Sequence, residues 1–143
     1  MSLGLYLHIP YCFSKCRYCD FYSHPGERGV PEAYVDALLR ELSRFAPEVP
    51  LQPDTLYFGG GTPSLLRPEQ AKRLIDAARP MPGAEITLEA NPETVTEESL
   101  AGFREAGVNR ISFGVQSARD TQLRTLGRPH TAKQARAAFA AAR

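Results

Sequence analysis

The sequence predicts an α/β fold in which parallel strands with outer helices form part of a (β/α) barrel. Strand-like and helix-like segments alternate four times along the 143 residues. Strands joined by helices form right-handed βαβ units with a parallel sheet, which is either doubly wound or curled toward a barrel. A full eightfold barrel takes about 250 residues, so four units amount to the N-terminal half of one. We therefore interpret residues 1–143 as the N-terminal portion of an incomplete barrel and expect the chain to be truncated.

Each strand and helix is identified by the spacing of its apolar residues. Alternation predicts a first strand over residues 3–9, ended by Pro10. Helical spacing behind a first-turn proline predicts a helix over 31–46. A proline-rich stretch over 47–53 precedes a second strand at 55–58, which we expect the following glycines to end. The later elements are a helix over 68–79, a strand over 85–90, a helix over 96–106 closed by Gly107, a strand over 110–116 and helical segments from 119 onward.

The predicted strands alternate between apolar and polar residues, whereas parallel strands covered on both faces usually form continuous apolar runs. One face of the sheet is therefore predicted to be polar. Its members are Tyr6, His8, Glu85, Thr87, Glu89, Arg110, Ser112 and Gln116. The residues predicted to face the helices are Leu5, Leu7, Ile86, Leu88, Ile111 and Phe113. We interpret the polar face as surrounding a polar ligand inside the barrel; the alternative is a face that meets solvent.

The only cysteines of the chain, Cys12, Cys16 and Cys19, lie in the loop that follows the first strand. An odd number of cysteines within eight residues does not form a disulfide framework. Zinc prefers four protein ligands in a structural site, whereas a four-iron cluster accepts three thiolates and leaves one iron open. The nearby candidates for a fourth zinc ligand are His8, His24 and Asp20. The C-x3-C-x2-C spacing favours a cluster, with zinc and three unliganded thiols as the alternatives.

The charge and hydropathy of the chain exclude several classes of partner. The formal net charge is +1, so the chain has no field that would collect nucleic acid or an anionic membrane. No stretch approaches the roughly 20 uncharged apolar residues of a membrane span, and the N-terminus lacks the pattern of a secretion signal. We expect a cytoplasmic protein with no membrane span and no bound nucleic acid, which recognises its partners at a specific site.

The cysteine loop, YLHIPYCFSKCRYCDFY over residues 6–22, resembles the cluster loop of radical S-adenosylmethionine enzymes. Four later motifs continue the resemblance in order: YFGGGTP at 57–63, EANP at 89–92, FGVQS at 113–117 and LGR at 126–128. Together the five motifs cover essentially the whole chain, and they are similar in particular to the coproporphyrinogen III dehydrogenase-like branch. The resemblance implies that the incomplete barrel is of the radical S-adenosylmethionine type.

The resemblance also implies two cofactors. A [4Fe–4S] cluster would be held by Cys12, Cys16 and Cys19, and its open iron would chelate S-adenosylmethionine. One electron from the cluster would cleave this cofactor into methionine and a 5′-deoxyadenosyl radical, which abstracts a substrate hydrogen. Family positions that hold S-adenosylmethionine correspond to Tyr6, Tyr18, Gly60, Gly61, Thr62, Glu89, Gln116 and Arg128. Taken alone, the glycine run fits an ordinary loop, and His24 and His130 are interpreted as loop residues.

Two functions within this branch are compatible with the sequence, which leaves open whether the protein is an enzyme. The first is a heme chaperone that delivers heme to apoproteins; the second is an oxygen-independent coproporphyrinogen III oxidase that converts propionates to vinyl groups. The oxidases carry a further cysteine two residues past the third, where this chain has Phe21. This difference favours the chaperone. The implied partners are heme or a porphyrinogen, a reductant protein and heme-accepting apoproteins.

Overall fold

A computed structural model describes residues 2–45 and 52–143. The strands are β1 (Gly4–Ile9), β2 (Tyr11–Cys12), β3 (His24–Pro25), β4 (Thr55–Gly60), β5 (Glu85–Ala90) and β6 (Arg110–Phe113). The helices are α1 (Glu32–Phe45), α2 (Pro68–Ala78), α3 (Glu97–Ala106), α4 (Asp120–Leu126) and α5 (Ala132–Ala141). Four strands form one sheet in the order β1-β4-β5-β6, and every pair in it is parallel. The prediction of a parallel α/β sheet is confirmed.

The core lies between this sheet and the helices α1, α2 and α3, which pack side by side. Leu7, Phe58 and Leu88 point from three adjacent strands into the core and are buried. Burying a side chain of this size contributes about 1.5–3 kcal/mol. Of the other strand residues predicted to face the helices, Ile86 is buried in this core, Leu5 and Ile111 pack against it partly buried, and Phe113 is half-buried. The core holds the strand ends in register and so fixes the loops that follow them.

The helix boundaries follow from their terminal residues. Thr96 precedes α3, and its side chain accepts a hydrogen bond from the backbone N–H of Ser99, which satisfies one free donor at the helix start. Gly107 ends α3 in the left-handed conformation (φ 114°), which glycine adopts without steric cost. The predicted helix over 31–46 is α1, although its last residue and most of the proline-rich stretch, 46–51, lie outside the described residues.

Three predictions of local structure differ from what is observed. The second strand does not stop before the glycines: Gly59 and Gly60 belong to β4 and pair with His8 and Ile9 of β1. The last strand ends at Phe113, so residue 116 lies beyond it rather than on it. The short parallel pair of β2 with β3 was not predicted, because two-residue strands have no measurable periodicity.

The face of the sheet opposite the helices is polar, as predicted. Thr87 on this face is buried, and the guanidinium of Arg110 donates to its hydroxyl at 3.3 Å and to Glu85 Oε1 at 3.4 Å. At the carboxyl ends of the strands the same face borders a cavity, where Glu89 and Ser112 lie. The alternative of a face that only meets solvent is therefore not needed. Across residues 2–45 and 52–143, every helix is too short or too polar to cross a membrane.

Candidate cofactor-binding site

A cavity of about 270 Å³ opens at the carboxyl ends of β4, β5 and β6, beside the cysteine loop. Ten of the eleven residues predicted from the resemblance line it. They are Cys12, Cys16, Cys19, Tyr18, Gly60, Gly61, Thr62, Glu89, Gln116 and Arg128. These residues come from five separate segments of the chain, and parallel α/β folds place ligands at this end of their strands. The predicted residues therefore converge on a single site.

The three cysteines are free thiols that differ in how deeply they are buried. Cys12, on β2, is buried and accepts a hydrogen bond from the hydroxyl of Thr62 at 3.5 Å, whereas Cys16 and Cys19 are partly exposed. In residues 2–45 and 52–143, no three His, Cys, Asp or Glu side chains have the close spacing that one metal ion requires. A cluster does not require three side chains to converge on one ion, because each thiolate binds a separate iron atom.

Arg128 brings a positive charge to the site and is only 9% exposed. Its Nη1 donates to Cys16 Sγ at 3.0 Å, and its Nη2 donates to Asn91 Oδ1 at 2.9 Å and to the carbonyl oxygen of Gly114. The remaining guanidinium nitrogen, Nε, is buried without a partner among the described residues. A buried donor without a partner is costly, and the charge-assisted bonds from the two Nη atoms offset that cost.

The glycine run brings backbone close to the cysteine loop. A Cβ at position 61 would lie 2.7 Å from the carbonyl oxygen of Tyr11 and 2.9 Å from Cys12 Sγ, so only glycine fits there. At position 60 the backbone has φ 119°, and a Cβ would meet the ring of His8 at 2.7 Å. Both glycines line the cavity, where the absence of a side chain lets a ligand approach the backbone closely.

Glu89 is held in place by two donors. Its Oε1 accepts from the hydroxyl of Tyr57 at 2.7 Å, and its Oε2 accepts from the backbone N–H of Gly60 at 3.2 Å. Burial, and then the bond to Glu89, raise the pKa of Tyr57 above its usual value, so the phenol remains a donor at neutral pH. The carboxylate keeps unused lone pairs, which can accept from a hydroxyl or an ammonium group.

The predicted residues differ in how closely they approach the site. Tyr18 lies at the cavity, where burial raises the pKa of its phenol while the charge of Arg128 acts in the opposite direction. Tyr6 does not line the cavity: it is 53% exposed, stacks on Tyr57 with ring centroids 6.1 Å apart, and shares a 3.1 Å hydrogen bond with His8 Nδ1. The cofactor role of Tyr6 stays a prediction.

Sequence reasoning missed Asn91, which links two sides of the cavity. Its Nδ2 donates to Thr62 Oγ1 at 3.3 Å, and its Oδ1 accepts from Arg128. The available signal was its place immediately after a strand that carries Glu89, in the EANP motif. His130 was also missed. It was interpreted as an ordinary loop residue, but it is buried and its ring is hydrogen-bonded.

The Radical SAM superfamily matches residues 6–143, and the chain belongs to this superfamily. Among its relatives, it is 45% identical to the heme chaperone HemW of Escherichia coli K12, over 95% of this chain and 38% of the relative. It is 39% identical to the mitochondrial radical S-adenosyl methionine domain-containing protein 1 of Bos taurus, over 92% of this chain and 31% of the relative. The structure resembles coproporphyrinogen III oxidase (HemN) of Escherichia coli, with a TM-score of 0.88 and 31% identity, covering 99% of this chain and 34% of that one.

These comparisons agree with the predicted fold and branch. The HemN similarity identifies the fold as the N-terminal part of a radical SAM barrel. Membership of the superfamily implies a [4Fe–4S] cluster and S-adenosylmethionine. The chain spans about a third of the length of these relatives.

Proposed function

We propose that Cys12, Cys16 and Cys19 hold a [4Fe–4S] cluster and that the adjacent cavity binds S-adenosylmethionine, as part of a protein that binds and delivers heme. The observation that supports this most strongly is the convergence of three thiols and the glycine run on one cavity. We also propose that residues 1–143 form the N-terminal portion of a longer radical SAM core. The share of the relatives that the chain spans supports this view.

The residues around the cavity provide different kinds of contact to the ligand. Arg128 places positive charge beside Cys16 and at the cavity wall, which suits a carboxylate. Glu89, fixed by Tyr57 and Gly60, provides acceptors for hydroxyl or ammonium groups. When bound, the cluster and S-adenosylmethionine supply one-electron chemistry that generates a carbon radical. The protein orients the cofactor and shields the site from water.

Phe21 supports the heme chaperone over the oxidase. It lines the mouth of the cavity with 70% of its surface exposed, at the position where the oxidases carry a fourth cysteine. A phenyl ring cannot donate a hydrogen atom or act as a redox group, so a reaction step that needs sulfur at this position is lost. Several relatives at 35–45% identity are named heme chaperones. The alternative, coproporphyrinogen III oxidation, is favoured only by the similarity to HemN.

The proposed partners follow from this function. They are heme, a reductant protein for the cluster and apoproteins that accept heme, and the proposed compartment is the cytoplasm. The moderate net charge of +1 supports recognition at specific sites rather than by long-range attraction.

A direct comparison of the two functions tests the proposal. Full-length protein with a complete cluster is titrated anaerobically with heme, and is separately incubated with S-adenosylmethionine, a reductant and coproporphyrinogen III. We expect stoichiometric heme binding and no protoporphyrinogen IX. Multiple turnovers to protoporphyrinogen IX without heme binding would replace the chaperone with the oxidase. Replacing Phe21 by cysteine, with Phe13→Cys as the matched exposed control, asks whether this position decides between them.

A further inference from the structure

His130 is buried between two segments that border the cavity and is only 2% exposed. Its Nδ1 lies 2.9 Å from Glu93 Oε2, in the 3-10 turn Pro92–Thr94 that follows β5. Its Nε2 lies 3.1 Å from the carbonyl oxygen of Val115, in the loop after β6. Both neighbours are acceptors, and the bond to Val115 forms when Nε2 carries the proton. The ring thereby joins the loops of two adjacent strands.

The carbonyl of Val115 closes a strained turn. It also accepts from the backbone N–H of Ser117 at 2.8 Å, which makes a three-residue turn around Gln116. Gln116 has φ 65°, and a γ-turn with a positive φ at its central residue is rare and strained. Strain of this kind costs about 1–3 kcal/mol for a residue other than glycine and persists only where surrounding contacts hold it.

The strained residue lies at the cavity. Gln116 lines it, although it is beyond the end of β6 and no longer follows the alternation of the strand. The His130 ring is the side chain that bonds the carbonyl immediately before it. Arg128, which also lines the cavity, is two residues before His130, so one segment carries both a cavity residue and the ring that holds the opposite loop.

We propose that His130, oriented by Glu93, is a positioning residue that holds the strained turn at Gln116 and so keeps the Gln116 side chain in the cavity. The ligand in this inference, S-adenosylmethionine, rests on the proposed function. The contact between His130 and Val115 that holds the turn does not depend on any ligand. Loss of the Val115 bond lets the turn relax to a negative φ, which turns the Gln116 side chain away from the cavity.

Two substitutions at this position separate the hold on the turn from simple packing. In His130→Gln, the amide nitrogen occupies the place of Nε2 and can still donate to Val115. In His130→Asn, the shorter side chain reaches Glu93 but not Val115. Both remove the ring, but asparagine is one methylene smaller than glutamine, so His130→Leu, which fills the space without a donor, is the packing control and should behave like His130→Asn. Glu93→Gln is a milder third variant, which keeps an acceptor near Nδ1 but removes its charge.

The first readout is hydrogen exchange of the Ser117 amide in full-length, cluster-free protein, which needs no cofactor. We expect this amide to exchange about tenfold faster in His130→Asn than in His130→Gln, because only the latter retains the bond to Val115. Glu93→Gln is expected to lie between wild type and His130→Asn. Equal exchange in the asparagine and glutamine variants would overturn the proposal.

The second readout is the affinity of the cluster-loaded protein for S-adenosylmethionine, measured by equilibrium dialysis. His130→Asn should weaken binding about tenfold, while His130→Gln stays within about twofold of wild type. Equal losses in both variants, or none in either, would overturn the role in cofactor binding. A wild-type protein that binds no S-adenosylmethionine would instead contradict the proposed function, and the exchange of Ser117 would still decide whether His130 holds the turn.

Discussion

Arg128 Nη1 donates a hydrogen bond to Cys16 Sγ at 3.0 Å across 112 positions of sequence. The contact joins the segment after α4 to the cysteine loop after β1. It is reinforced in the backbone, where the N–H of Arg17 donates to the carbonyl of Leu126 at 3.1 Å. The cysteine loop is therefore held in place by a distant part of the chain.

Removing the Arg128 guanidinium should weaken the cofactor site. Arg128→Met keeps most of the side-chain length but loses every donor, and hydrogen bonds to charged groups contribute about 1.5–3 kcal/mol. We expect S-adenosylmethionine affinity to fall by about tenfold or more in the cluster-loaded protein, measured by equilibrium dialysis. The matched control is Arg124→Met, at an exposed position of α4. Equal affinities in the two variants would show that Arg128 serves only the fold.

A side chain at position 61 should disrupt the cysteine loop. The Cβ of Gly61→Ala would lie 2.7 Å from a backbone oxygen and 2.9 Å from Cys12 Sγ, so the loop must move. We expect iron incorporation during reconstitution to fall to less than about half of the wild-type value, given a loss of close packing at the thiol. Gly29→Ala is the control, since its nearest contact would be 3.9 Å away. Full iron content in Gly61→Ala would contradict the close approach.

The bond between Tyr57 and Glu89 should make stability depend on pH in the alkaline range. Tyr57→Phe removes a 2.7 Å hydrogen bond and should lower the free energy of unfolding by about 1 kcal/mol at pH 7. Burial, followed by the bond to Glu89, raises the pKa of Tyr57 above 10.0, so the folded chain binds this proton more tightly than the unfolded chain. The contribution is therefore complete below pH 10 and is lost as the pH rises through the raised pKa.

Urea unfolding of wild type and Tyr57→Phe at a series of pH values measures this difference. We expect the two curves to approach each other above pH 10, while the exposed control Tyr22→Phe stays close to wild type throughout. A constant difference between wild type and Tyr57→Phe up to pH 11.5 would show that the hydroxyl does not act through this proton.

The edge of the sheet at β6 should make the 143-residue chain self-associate. Among the described residues β6 pairs only with β5, and an adjacent groove of about 500 Å³ is lined by Val108, Ile111 and Phe139. Phe139 is 57% exposed, and an open strand edge beside apolar surface favours association. Light scattering should show mass rising with concentration, less so for Phe139→Glu than for Ala137→Glu on the same helix. A monomer at every concentration would contradict this expectation.

Periodicity was sufficient for elements whose structure is set locally. The strand predicted at 85–90 is observed as Glu85–Ala90, because alternation and its flanking turns decide it. Gly59 and Gly60 were misjudged as the end of a strand, since glycine usually ends one. They remain in β4 because neighbouring rings, including that of His8, fill the space where side chains would lie.

The sequence predicted which residues form the site but not how they are arranged. Sequence motifs identified ten of the residues that line the cavity. Alternation placed Gln116 on a strand, whereas its turn depends on His130, fourteen residues later, and on Glu93 before it. Contacts between such distant residues leave no periodic signal in one sequence, so the γ-turn and the role of His130 required the structure.

The most direct test of the central claim is the metal content of the anaerobically reconstituted protein, measured as iron, acid-labile sulfide and zinc per chain. We expect about four irons and four sulfides per chain with a broad visible absorption, all lost when Cys12, Cys16 and Cys19 are replaced by alanine. A cysteine loop that binds a single metal ion would give a different metal and sulfide content. About one zinc per chain, with no sulfide and no visible absorption, would contradict the cluster and the function proposed from it.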